Sequence, residues 1–490
     1  MKKQTLFFVA FLIFTAEYTV LAQQKETLKN EVISNLDKQY DTYKKLALDI
    51  WDHAEVGYKE YKSSELLQKT LTASGFNVQA GVADIPTAFV ATFGSGKPII
   101  GILAEYDALP GLSQVAEPAK SPRAGKAAGH GCGHHLFGAA SVAAAIELKN
   151  TLSKNKMSGT IKLYGTPAEE GGSGKVYMTR AGLFDGVDVV LHWHPGDANS
   201  SNPSSSLANI SAKIRFKGIS AHAAGAPDRG RSALDGVEAM NNMVNMMREH
   251  IPQETRIHYV ITDGGKAPNV VPDFAEVYYY VRHPKRDVVK EIFERVVKAA
   301  KGAAMGTETT VEYEIIGGVH ELLPVRVLAK TMHDNLTKVG GVTYTPEEVA
   351  FGEKIQQTLI TKIKPEISKA SKVDPYLDES YRSGGGSTDV GDVSWSVPTV
   401  GLRTATWIPG TPAHSWQAVA CGGTEIGTKG MMVAAKTLTC MAIDLLTDKS
   451  LIDKATAEWK VARGADFKYQ PLLGDRKPAL NYRDSAGAAD

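Results

Sequence analysis

Residues 99–104 read Ile-Ile-Gly-Ile-Leu-Ala, six positions without a polar side chain, and run directly into Glu105-Tyr106-Asp107. A strand with one face in water alternates polar and apolar residues. An unbroken apolar run is the mark of a strand buried on both faces, as in parallel sheets covered by helices. Three further strands are expected over 161–166, 187–191 and 397–402. They lead to Pro167-Ala168-Glu169-Glu170, to His192-Trp193-His194-Pro195 and to Gly410-Thr411-Pro412-Ala413-His414. Loops at the carboxyl edge of an open α/β sheet converge on one place while the strands hold them rigidly. The expectation is therefore an α/β protein with a mostly parallel sheet, each ligand-type residue lying just past the carboxyl end of a strand.

Between the first two of these strands lies Gly129-His130-Gly131-Cys132-Gly133-His134-His135-Leu136-Phe137-Gly138, three imidazoles and a thiol within six positions. Imidazole and thiolate suit transition metals, and the glycines allow turns tight enough to aim Cys132 and His134 at one point. The donors collected at the strand ends are Cys132, His134, Glu170, His194 and His414, with Glu169 beside them. Two metals about 3.5–4 Å apart need about that many ligands, and hydrolysis also needs a base to accept a proton from water. Adjacent Glu169 and Glu170 offer one carboxylate to coordinate and one left free. The run Gly171-Gly172-Ser173-Gly174-Lys175 is not a phosphate loop, because Glu169 stands where its first glycine belongs and Val176 where Ser or Thr should be. The chain also lacks a Gly-x-Ser-x-Gly elbow, which argues against a serine nucleophile.

At 490 residues the chain exceeds the size at which one core stops growing, so two domains are expected. With 55 basic and 54 acidic side chains it has no bias toward nucleic acid or an anionic membrane. Lys2 and Lys3, the apolar run 6–14 and Val20-Leu21-Ala22 have the anatomy of a secretory signal peptide cleaved before Gln23, which predicts export. No other stretch approaches the roughly 20 apolar residues of a membrane helix. Cys132, Cys421 and Cys440 are too few for a disulfide framework, leaving at most one bridge, Cys421 to Cys440.

Helical spacing covers about 25–75, the second helix starting at Ser63 or Ser64, and a further Ala-rich helix covers 136–148. Between 207 and 318 strands and helices follow in the order β-α-β-β-α-β, a ferredoxin-like unit inserted into the larger domain. Residues 345–386 read as a surface excursion with one helix near 353–363.

The segments 104–111, 129–138 and 167–172, together with Ala221-His222-Ala223-Ala224, Pro268-Asn269-Val270-Val271-Pro272, 387–392 and His414, resemble the M20 family of metallopeptidases and amidohydrolases. The likeness is nearest to its aminobenzoyl-glutamate hydrolase group. It implies two divalent metal ions, zinc or manganese, held by Cys132, His134, Glu170, His194 and His414, with Glu169 as general base and Asp107 orienting a ligand. It implies that His222 reaches into a partner's active site to hold the oxyanion, and that Asn269 and Arg282 hold the substrate carboxylate. Subgroups differ over whether His192 or His194 is the ligand, and His194 is favoured. His135 stands where relatives carry Asp or Asn. The resulting division is a signal peptide at 1–22, a catalytic domain at 23–206 and 319–490, and a dimerisation domain at 207–318. The expected activity is hydrolysis of N-acyl or aminobenzoyl amino acids by an exported homodimer. The alternatives are a dipeptidase of the same chemistry, a binding protein that keeps the fold without turnover, or a subunit active only with a second, similar chain.

Overall fold

A computed structural model describes residues 23–378 and 385–484. The signal-peptide reading on 1–22 lies outside the described residues. The main sheet has six strands in the order Asn77–Ala80, Phe89–Ser95, Gly159–Gly165, Ile99–Ala104, Val189–Gly196, Thr399–Ala405. Ile99–Ala104 runs parallel to both of its neighbours, and Val189–Gly196 runs parallel to Thr399–Ala405. The first two strands form an antiparallel edge. Helix His134–Asn155 packs on this sheet and against helices Tyr40–His53 and Glu425–Thr447. It is buried along most of its circumference, which explains why its sequence lacks a polar stripe.

A second sheet of four antiparallel strands has the order Thr310–Val319, Ala208–Lys217, Phe274–His283, Arg256–Asp263. Helices Ala233–Met247 and Arg286–Gly306 pack on it around a separate apolar core. Arg256–Asp263 is an edge strand carrying the exposed side chains Tyr259, Val260 and Ile261.

Several expectations need correction. Strand Val189–Gly196 continues through His192 and His194, because Thr399–Ala405 pairs with it as far as Gly196. These two histidines therefore lie within a strand, and His134 opens a helix instead of following a strand directly. The second helix begins at Tyr61. Ser63 does not cap it, since its hydroxyl donates to Glu55, and the Ser64 hydroxyl donates to the Thr87 carbonyl. The helix expected near 353–363 spans Pro346–Gln357, started by a capping box of Thr345 and Glu348. Cys421 and Cys440 are free and buried in separate helices, so they form no bridge. Among the described residues one helix, Glu425–Thr447, is long and apolar enough to cross a membrane, but 83% of its apolar window is buried inside the fold.

Candidate metal centre

Gly133 starts the central helix with φ +75°, a conformation that costs an L side chain, and a Cβ there would lie 2.7 Å from Pro195 Cβ. The close approach brings the 129–133 loop onto strand Val189–Gly196, where Cys132 Sγ lies 3.4 Å from His194 Nε2. His134 is fully buried, and its Nδ1 lies 2.9 Å from Asp107 Oδ1. Asp107 Oδ2 accepts the Glu170 amide at 2.9 Å, so one carboxylate orients both residues. Glu170 Oε1 lies 3.1 Å from His414 Nε2, and the His414 amide donates to the Gly131 carbonyl. Ala168 and His414 both hold φ +57°, left-handed strain of the kind that collects at functional sites.

The donors converge in two triads, Cys132/His134/His194 and Cys132/Glu170/His414, the ligand atoms of each lying within 4.8 Å of one another. Cys132 belongs to both. A third triad, Glu105/His134/Glu169, adjoins them. Glu105 Oε2, His134 Nε2 and Glu170 Oε1 are buried and make no hydrogen bond among the described residues, although buried polar atoms are normally satisfied; Glu105 Oε2 and His134 Nε2 instead face each other at 3.1 Å, and Glu170 Oε1 faces His414. Buried nitrogen and oxygen atoms that face one another without hydrogen bonds, beside a thiol, fit a pair of divalent cations.

The other imidazoles of the cluster face elsewhere. His130 Nε2 donates to the Ile50 carbonyl and His135 Nε2 to the Gly422 carbonyl, and the two rings pack 4.8 Å apart. Burial pushes His130 down to about 3. His192 fills the space over Gly401, where a Cβ would lie 2.3 Å from its Nε2, and burial pushes it too to about 3. His194, not His192, joins the donor triads.

Lys175, Glu105 and Asp389, which sequence reasoning missed, complete the floor. Lys175 is fully buried, with Nζ 2.7 Å from Glu105 Oε1 and 2.7 Å from Asp389 Oδ1. Burial alone would depress Lys175, but these two carboxylates hold its pKa well above the ordinary lysine value. The available signal was a lysine in the first turn of helix Gly174–Arg180, where the helix dipole disfavours a cation unless carboxylates face it. Burial, with the charges of Glu105, Glu170 and Asp389, pushes Glu169 well above the carboxylate range. Burial would raise Asp107 too, but His134 and the Glu170 amide outweigh it and hold the carboxyl down at about 2.

The donors open onto a cleft of about 950 Å³ lined also by Tyr280, Arg282, Arg403 and Arg483. Of the two residues expected to hold a substrate carboxylate, only Arg282 faces this cleft. Asn269 is exposed beside His222, its carbonyl accepting the Ala223 amide. His222 is exposed, and its Nδ1 accepts amides from Ala224 and Gly225, so Nε2 carries the proton. Within one chain, neither His222 nor Asn269 lines the cleft.

Residues 208–308 match the peptidase dimerisation domain of the M20 proteins. The chain is 43% identical over 441 residues to a subunit of the p-aminobenzoyl-glutamate hydrolase of Escherichia coli, covering 85% of this chain and 91% of that one. The chain belongs to the M20 family. This M20 chain is a metal-dependent hydrolase of amide or peptide bonds, as its relatives are. It is also 27% identical over 457 residues to the mouse Xaa-Arg dipeptidase, covering 90% of this chain and 94% of the relative. Its fold matches that of a dinuclear metal-binding M20 peptidase from Bacillus subtilis, with TM-score 0.54, 16% identity, and coverage of 84% and 99% of the two chains.

Proposed function

We propose that this enzyme cleaves the amide between an acyl or aroyl group and an amino acid, aminobenzoyl-amino acids being the first class to test. The observation that carries the reading is the sharing of Cys132 between two donor triads that also hold His134, His194, Glu170 and His414. These five residues would hold two divalent cations, zinc or manganese. When bound, such a pair supplies Lewis-acid activation of the carbonyl and lowers the pKa of water.

Glu169, carried on the same loop as Glu170, takes the proton of the attacking water. As the C–O bond forms and the C–N bond breaks, it passes that proton to the departing amine. Asp107 keeps His134 and Glu170 in position through the two bonds that it accepts. Arg282 holds the α-carboxylate of the amino acid. His222, with its free Nε2–H, donates to the carbonyl oxygen in a partner's cleft as negative charge develops there, with Asn269 beside it. The exposed apolar edge Arg256–Asp263 supports assembly through the 207–318 unit, and a homodimer is the simplest form that supplies His222 in trans. We also propose export after cleavage before Gln23, on the evidence of the charged and apolar N-terminus.

The test is release of free amino acid from aminobenzoyl-glutamate, N-acyl amino acids and dipeptides by zinc- or manganese-loaded protein, with native mass measured in parallel. Turnover of acyl conjugates that chelation abolishes supports the reading. Turnover confined to dipeptides makes the chain a dipeptidase. A fully metal-loaded chain that cleaves nothing until a second protein is added refutes the homodimer.

A further inference from the structure

Three guanidinium groups, those of Arg282, Arg403 and Arg483, line the cleft, and among the described residues none is paired with a carboxylate. Lys175, by contrast, is fully committed to Glu105 and Asp389. Unpaired cations in a cleft beside a hydrolytic centre are what an anionic ligand would neutralise.

Arg483 differs from the other two in how it is built in. It comes from the C-terminal segment, far in sequence from every donor. One N–H of its guanidinium donates to the Glu170 carbonyl, which also accepts the Tyr482 hydroxyl at 2.9 Å. The guanidinium lies 4.7 Å from the Tyr482 ring centroid, and that ring packs edge-on against Tyr58 at 5.6 Å. Its Nε is buried without a partner. A Cβ on Gly171 would lie 3.7 Å from Tyr280 Oη and 3.8 Å from Arg483 Nη2, so the C-terminal segment and strand Phe274–His283 meet over the Glu169–Gly171 loop. Arg282 stands two positions from Tyr280 on the same strand face. Its guanidinium is 5.2 Å from the Tyr280 ring, and its Nε is likewise buried without a partner. Arg282, Tyr280 and Arg483 thus form one continuous wall, whereas Arg403 is exposed on strand Thr399–Ala405.

We propose that Arg483 determines specificity by binding the side-chain carboxylate of an acidic amino acid whose α-carboxylate is held by Arg282. This rests on the amidohydrolase reading above. A guanidinium already fixed by the Glu170 carbonyl and the Tyr482 ring loses little freedom when it engages a carboxylate, and its planar fork suits that group. The C-terminal segment then couples substrate choice to the loop that carries Glu169 and Glu170.

The experiment compares aminobenzoyl-glutamate with aminobenzoyl-glutamine, a neutral isostere, by calorimetric binding and by hydrolysis with metal-loaded full-length protein. The parent should prefer the glutamate conjugate. Arg483→Gln should reduce the glutamate-to-glutamine ratio of kcat/KM, and of affinity, by about 10- to 100-fold. Arg483→Lys should keep part of that ratio, which separates lost charge from lost folding. Tyr482→Phe removes only the hydroxyl bond to the Glu170 carbonyl and should weaken both conjugates alike. A parent without the preference, a parent that binds neither conjugate, or an Arg483→Gln that weakens both equally overturns the proposal. Arg483-dependent selective binding without hydrolysis keeps this proposal and removes the amidohydrolase reading. Unselective hydrolysis does the reverse.

Discussion

Lys175→Met should be among the most destabilising single changes at the centre. The lysine is fully buried, and its two partners Glu105 and Asp389 are each 1% exposed. At 2.7 Å each contact is worth roughly 6 kcal/mol of gross attraction at an effective dielectric of about 20. Most of that offsets the cost of burying three charges. Removing the cation leaves Asp389 without its counter-ion and Glu105 with only His134, 3.1 Å away, and Glu169 lies close by; breaking a buried pair in this way costs about 3–5 kcal/mol. The assay is denaturant unfolding of the metal-free protein, with metal content measured separately. The loss should shrink at about pH 5, since a protonated carboxyl needs no counter-ion. Adding Glu105→Gln to Lys175→Met should recover part of it. A Lys175→Met protein within about 1 kcal/mol of its parent at about pH 8, or a double variant no more stable than the single one, would refute the claim that Lys175 neutralises this pair.

Glu169→Gln should keep its metal content and lower kcat by about 10²–10⁴-fold, the range for a lost general base. Equal kcat would remove Glu169 from proton transfer. Asp107→Ala frees His134 and the Glu170 amide, and metal affinity measured by competition with a chelator should fall by about 10- to 100-fold. Asp392 bears on pH stability because burial pushes its carboxyl up to about 7. The native state keeps a proton that the unfolded chain releases near about pH 4, so stability is complete below that pH and falls by about 1.4 kcal/mol per unit up to about pH 7. Asp392→Asn should flatten this slope between about pH 5 and 7, and an unchanged slope would exclude Asp392 as its source. Gly133→Ala should cost at least about 1–2 kcal/mol for its φ of +75° alone, read as a lower unfolding midpoint, and more from the contact with Pro195.

Composition and local pattern were enough to point to the buried parallel strands and to nominate the donor candidates. Residues 99–104 carry no polar side chain because their strand is covered on both faces, and that property is visible without coordinates. Cys132 and His134 share one short loop, and Glu169 and Glu170 are adjacent, so local spacing alone nominates them. The order of strands and helices over 207–318 was legible because each element has its own hydrophobic period. Other features depend on neighbours distant in the chain. Strand pairing with Gly401 sets His192 apart from His194, and the two stand only two positions apart in a sequence that treats them alike. Lys175 meets Asp389 across 214 positions, and its role is invisible until the fold closes. Arg483 meets the Glu170 carbonyl across 313 positions. Ser63 and Ser64 look like helix caps until Glu55 and Thr87 take their hydroxyls. Periodicity and donor chemistry are properties of short segments, and the sequence determines them by itself. Which cation meets which carboxylate, and which imidazole joins the donor triads, is decided by long-range packing, because those energies exist only when distant segments exclude water together.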